Sequence, residues 1–77
     1  MSAKRTAPAT QKVYTLLHNW TGDEFTPQFS FHAKDNKDAD DKVIGWARYH
    51  SFDYSSVSCR IATEHEAKYW LHDEYVD

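Results

Sequence analysis

Between Phe25 and Ala33 the chain reads FTPQFSFHA, with Phe25, Pro27, Phe29, Phe31 and Ala33 alternating with Thr26, Gln28, Ser30 and His32. An apolar period of two sets the odd positions on one face of a β-strand, with the Phe residues turned to a core. Such a strand needs a neighbouring strand to pair with and a second layer to cover its apolar face. The rest of a 77-residue chain has to supply both. A domain of this size buries only about 60% of the surface its unfolded chain exposes, so there is no room for a second core. A single domain is expected over residues 12 to 77. Pro27 has no N–H to give to a ladder, which places it near a strand start or on a sheet edge.

The pairing partner lies upstream. KVYTLLHNW is separated from the alternating run by TGDE, where Gly22 and Asp23 supply turn chemistry, and the whole reads as a β-hairpin. Val13, Leu16, Leu17 and Trp20 also fall at helical spacing with Gly22 as a stop. Strand is the preferred reading, because Val13, Tyr14 and Thr15 favour extended structure. Residues 1 to 11 are polar and without periodicity, which predicts a disordered N-terminal arm.

The cover follows directly, in AKDNKDADDKVIGWARYH. Asp35 or Asp38 can cap a helix, Asp38, Asp40 and Asp41 fall where the helix dipole favours negative charge, and Arg48 and His50 where it favours positive charge. A helix over about 38 to 51 lays Ala39, Val43, Trp46, Ala47 and His50 along one stripe, with Ile44 at its border. Gly45 costs about 1 kcal/mol relative to Ala in a helix interior, a cost that close approach to a strand would offset. After a loop at SFDYSS, VSCRIA alternates again, with Val57, Cys59 and Ile61 inward and Ser58 and Arg60 outward. TEHE is then a capping box, Thr63 accepting from the amide of Glu66 while Glu66 reaches back. A C-terminal helix over 64 to about 75 is favoured against a fourth strand at KYWLHDEYV. The expected fold is a small two-layer α+β domain, an antiparallel β-β-α-β sheet of about three strands with one helix packed on it.

Composition narrows the chemistry. The formal charge is −3, but Lys4, Arg5 and Lys12 lie in the first twelve residues, leaving six basic against twelve acidic side chains in the remainder. That acidic body repels nucleic acid and attracts basic surfaces. Cys59 is the only cysteine, so an internal disulfide and a thiolate zinc site are both ruled out. A buried, inert thiol and a cytoplasmic setting are expected, with no membrane span and no signal peptide. None of the five histidines has metal-site spacing, although His18 and His32 could meet across the hairpin. Two glycines build no phosphate-binding loop, and a domain this small seldom encloses a carboxylate pair in a cleft. No catalytic residue, cofactor or metal is expected.

What remains is a surplus of large aromatics with polar handles, the residue types that anchor protein interfaces. Three function classes follow. The first is a non-enzymatic module binding a protein complex with a basic surface, through Asp38, Asp40, Asp41 and Tyr49 on one side or Glu64, Glu66, Tyr69, Trp70, Asp73 and Glu74 on the other, with Tyr54 a further aromatic anchor. The second is a nucleic-acid-binding regulator using the basic arm and stacking aromatics. The third is a small self-associating structural subunit; a monomer and a homodimer are both compatible with the sequence.

The succession of FSFHAKD, DADDKVIGWARYH and VSCRI resembles small bacteriophage-encoded accessory proteins that inhibit host machinery, among them anti-CRISPR proteins and phage inhibitors of bacterial RNA polymerase. The resemblance covers residues 13 to 62. It implies a non-enzymatic inhibitor acting in the host bacterial cytoplasm, whose acidic or aromatic surface occupies a subunit or nucleic-acid-binding surface of a larger target.

Overall fold

A computed structural model describes residues 11–76. The N-terminal arm expected over residues 1 to 11 lies, apart from Gln11, outside the described residues. The elements run β1 (Lys12–His18), β2 (Thr26–Ala33), α1 (Asn36–Tyr49), β3 (Val57–Ile61) and α2 (Glu64–Tyr69), with single 3₁₀ turns at Tyr54–Ser56 and Asp73–Tyr75. The sheet has the order β2-β1-β3 and is antiparallel throughout. This is the expected α+β domain, with β1 in the central position.

The hairpin closes as its residues dictate. Asn19 Oδ1 accepts from the amide of Gly22 at 2.6 Å, and Thr21 Oγ1 accepts from the amide of Asp23 at 3.2 Å. Gly22 stands at φ 91°, a backbone conformation glycine adopts without steric cost. Tyr14 pairs with Phe31 and Leu16 with Phe29, so the inward sets of the two strands share one face. Leu17 then pairs with Pro27, which leaves Gln28 as the extra residue of a β-bulge. Tyr14, Leu16, Phe29, Phe31 and Ala33 form the core with Ala39 and Val43 of α1. The alternation does not extend to Phe25, which lies in the turn and is exposed. His18 and His32 do not meet, because the register sets His18 opposite Thr26 and His32 opposite Val13.

Helix α1 begins two residues earlier than the charge pattern indicates because Asp35, rather than Asp38, is its cap. Asp35 Oδ1 accepts from the amide of Asp38, and Asp38 Oδ2 accepts from the amide of Lys34, both at 2.9 Å. At the other end Ser51 sits at φ 62°, while Phe52 N–H donates to Ala47 O at 2.8 Å and Ser51 N–H to Arg48 O at 3.1 Å. This is a Schellman stop, and it turns Phe52 back onto Trp46.

The second face of the sheet is closed differently. Thr63 and Glu66 form the expected capping box, but α2 ends at Tyr69 instead of continuing to 75. The chain leaves the helix to reach the outer edge of β2, where Ser30 N–H donates to Trp70 O and His72 N–H to Ser30 O, each at 2.9 Å. Leu71 thus forms a lone parallel bridge with Ser30. Helix and strand readings of this segment each describe part of it. Ile61, expected inward, is 54% exposed, because it ends the edge strand β3 beyond the reach of the core. None of the helices among the described residues is long and apolar enough to cross a membrane.

Candidate functional site

Most of the acidic and aromatic residues singled out in the sequence turn out to be occupied within the fold. Asp38 is engaged in capping, Asp41 pairs with Lys37 at 3.3 Å on the open surface, and Asp40 Oδ1 accepts from the Cys59 thiol at 3.4 Å. Burial, with help from Asp40, pushes that thiol up to about 12, which leaves no thiolate to act as a nucleophile. Tyr54 accepts from Arg48 Nε at 3.0 Å, with the guanidinium 6.0 Å from its ring centre. Tyr69 carries the Lys68 ammonium 5.4 Å from its ring centre. Trp70 is half-buried where the chain meets β2. Asp73 holds His32, accepting from its amide at 2.6 Å and lying 2.7 Å from its Nδ1. Glu64 is exposed at the start of α2.

Glu66 is a correction. The sequence places it on a partner-binding surface, and in the fold it is 6% exposed. Arg60 grips it with two parallel bonds of 2.8 and 2.9 Å, Thr15 Oγ1 donates to Oε1 at 2.7 Å, and the Thr63 amide donates to the same oxygen at 3.0 Å. Thr15 Oγ1 lies 2.9 Å from Ser30 Oγ, so the network ties all three strands to α2. The Arg60 bonds, aided by the Thr63 amide and the Thr15 hydroxyl, hold the Glu66 carboxyl down at about 2 against the opposing effect of burial. A charge gripped in this way positions α2 and is closed to a partner.

Two residues from the two sequence clusters are brought together instead. Tyr49 and Glu74 both line an open groove of about 820 Å³ between α1 and the C-terminal segment. That volume falls in the range of small-molecule sites. Phe29, Trp46 and Tyr75 supply its aromatic surface: Phe29 meets Tyr75 edge-on at 5.0 Å and Trp46 at 6.0 Å between ring centres. Gly45 and His50 border it on the helix side and Gln28, the bulge residue, on the strand side. Tyr49 is 85% exposed. On α1, Asp41, Gly45 and Tyr49 follow at four-residue steps, with Asp38 three before Asp41, so the acidic helix start runs in line with the groove. Glu74 is held below the usual carboxylate range by its hydrogen bond with His72 Nδ1, at 3.0 Å, so it is charged at neutral pH.

Gly45 was expected to let the helix approach a strand. A Cβ placed there would meet nothing within 4 Å. The glycine therefore gives up helix stability without any packing return inside the fold, at an exposed position that lines the groove.

Two other features bear on function. His18 is 3% exposed inside a cage of Trp20, Phe52 and Trp46, at 4.1, 4.5 and 5.7 Å between ring centres. Its Nδ1 is buried without a hydrogen-bond partner, and burial lowers its pKa. The outer edge of β3 is also open. Ala62 N–H donates to Val13 O and Asn19 N–H to Ser56 O, so the alternating backbone groups of Val57, Cys59 and Ile61 point away from β1. Among the described residues no three His, Cys, Asp or Glu side chains are grouped as a metal site.

No protein-family model matches the chain, and neither a curated protein nor a solved structure is significantly similar to it.

Proposed function

We propose that this chain is a small, acidic, non-enzymatic protein-binding module that docks on the basic surface of a larger nucleic-acid-handling complex and inhibits it. The observation that carries this reading is the aromatic groove at Gly45, with Tyr49 projecting from one wall, Glu74 on the other and Asp41 in line with it. Exposed Tyr and half-buried Trp supply contact area at low entropic cost, and surrounding carboxylates accelerate encounter with a basic partner. Among the described residues the groove is lined by no Lys or Arg, which disfavours a phosphate backbone as its occupant. The choice of target class draws on the resemblance in pattern over residues 13 to 62 to phage anti-CRISPR proteins and RNA polymerase inhibitors.

The test is capture from a nuclease-treated bacterial lysate, with bound proteins identified and quantified, using the wild type and an Asp41→Lys plus Glu74→Lys variant. Both positions are exposed. The expected result is one partner at stoichiometric level, released by raised salt and associating severalfold more slowly with the variant. Equal capture by the variant removes the acidic face from the account.

A second reading, a self-associating subunit, draws on the open edge of β3 and exposed Ile61. Edge strands of this kind pair with a second copy unless they are guarded. Light scattering decides it: a mass of two chains favours the seam, and a mass of one chain removes it.

A further inference from the structure

We infer that the groove at Gly45 receives an arginine side chain of the protein partner, its guanidinium lying against the aromatic rings and hydrogen-bonded to Glu74. This rests on the protein-binding reading and names the group that reading requires. Among the described residues Glu74 is the single carboxylate lining the groove, and neither Lys nor Arg lines it, so the local charge is negative. Elsewhere on the protein two exposed tyrosines carry cations of this chain itself, Tyr54 with Arg48 and Tyr69 with Lys68. The groove's Trp46, Tyr49 and Tyr75 have their contacts with other rings, including His50 and His72, and with no Lys or Arg among the described residues.

Arginine fits better than lysine on chemical grounds. A planar guanidinium stacks on ring faces and presents a fork of donors, whereas an ammonium is a compact and strongly hydrated point charge. The acceptors are in place. Gln28 Nε2 donates to Thr26 O and Thr26 Oγ1, both at 3.0 Å, which fixes the amide and leaves Gln28 Oε1 without a donor among the described residues. Gln28 is held at the groove by the β-bulge, and the Glu74 carboxylate, bonded through Oε2 to His72, lines the same groove. The open space over Gly45 is where the stem of the entering chain passes the helix.

The experiment titrates the full chain, observed by amide and indole NMR, with a capped Gly-Arg-Gly peptide and with the same peptide carrying citrulline, the neutral isostere of arginine. The expected result is saturable shifts at the Gly45 amide and the Trp46 indole. Affinity falls about tenfold with citrulline, weakens in Glu74→Gln, and is lost in Gly45→Leu, whose side chain takes the space beside the helix that the entering stem requires. Tyr49→Ala, at an exposed position, provides the groove lesion if Gly45→Leu perturbs the fold. Equal binding of the citrulline peptide, absence of saturable shifts, or binding that survives both groove lesions overturns the inference. So does tighter binding of a mononucleotide at the same amides, which reassigns the groove to base stacking. The two levels separate in the lysate capture. A partner retained equally by Gly45→Leu leaves the proposed function standing and removes arginine from the groove; an arginine peptide that binds while the lysate yields no partner does the reverse.

Discussion

Replacing Glu66 by glutamine should cost this domain a large part of its stability, and should do so only where the carboxylate is charged. The folded carboxyl is held at about 2 against an ordinary value of 4.5, a difference equivalent to about 3 kcal/mol at neutral pH. Arg60 is 41% exposed, so solvent screens part of the pair, and a net effect of about 2 to 3 kcal/mol is the working figure. A glutamine still accepts from Thr15 and Thr63, but its amide then faces the second Arg60 nitrogen with a donor instead of an acceptor. For 77 residues, total stability is of the order of 4 to 11 kcal/mol. The loss is therefore a substantial share, read as a urea midpoint lower by about 2 M. The sign follows from the lowered folded pKa. The stabilisation is complete above the unfolded value of 4.5 and disappears as pH falls toward 2. About 2 kcal/mol of it is gone from the wild type by pH 3, so the gap between wild type and Glu66→Gln should shrink to less than half its pH 7 size there. Urea unfolding followed by tryptophan fluorescence at pH 7 and pH 3 measures both quantities. An equal midpoint at pH 7, or a gap that is the same at both pH values, would refute the reasoning that the Arg60 clamp holds α2 in place.

Burial keeps His18 below its ordinary 6.5 in the folded state, so the unfolded chain takes up the proton first and stability falls as pH drops below about 6.5. His18→Phe, which removes the unpartnered Nδ1, should melt higher than the wild type at pH 5.5 and lose less between pH 7.5 and 5.5; an unchanged slope contradicts this assignment. Gly45→Ala should raise stability by up to about 1 kcal/mol, since the added methyl gains helix propensity and meets no neighbour. A lower melting temperature for that variant would mean that the space over Gly45 is not open.

Local pattern carried the fold well. The alternation at Phe29, Phe31 and Ala33 located the core strand, and Thr63 with Glu66 located the start of α2 three residues apart. Glu66 also shows where local pattern stops. Its capping role is written in four consecutive residues, but its burial depends on Thr15, 51 positions away, and on Arg60 across a strand end. The groove was harder to read for the same reason. The sequence sets Tyr49 and Glu74 in opposite clusters and Trp46 and Phe29 on apolar core faces, because the bulge at Gln28 and the turn back onto Ser30 that bring them to one groove are tertiary features. One local signal did point to the site. A glycine in the middle of a 14-residue helix has a cost, and Gly45 lies on the wall of the groove.

The most direct test of the account places a photo-activatable benzoylphenylalanine at position 49, where the side chain is 85% exposed, and irradiates bacterial cells expressing the protein. A second variant carries the same group at the exposed position 58 on β3. The account predicts a discrete, nuclease-resistant protein adduct from position 49 and none from position 58. A nuclease-sensitive adduct, an adduct from position 58 alone, or a cross-link only between copies of this chain would contradict it.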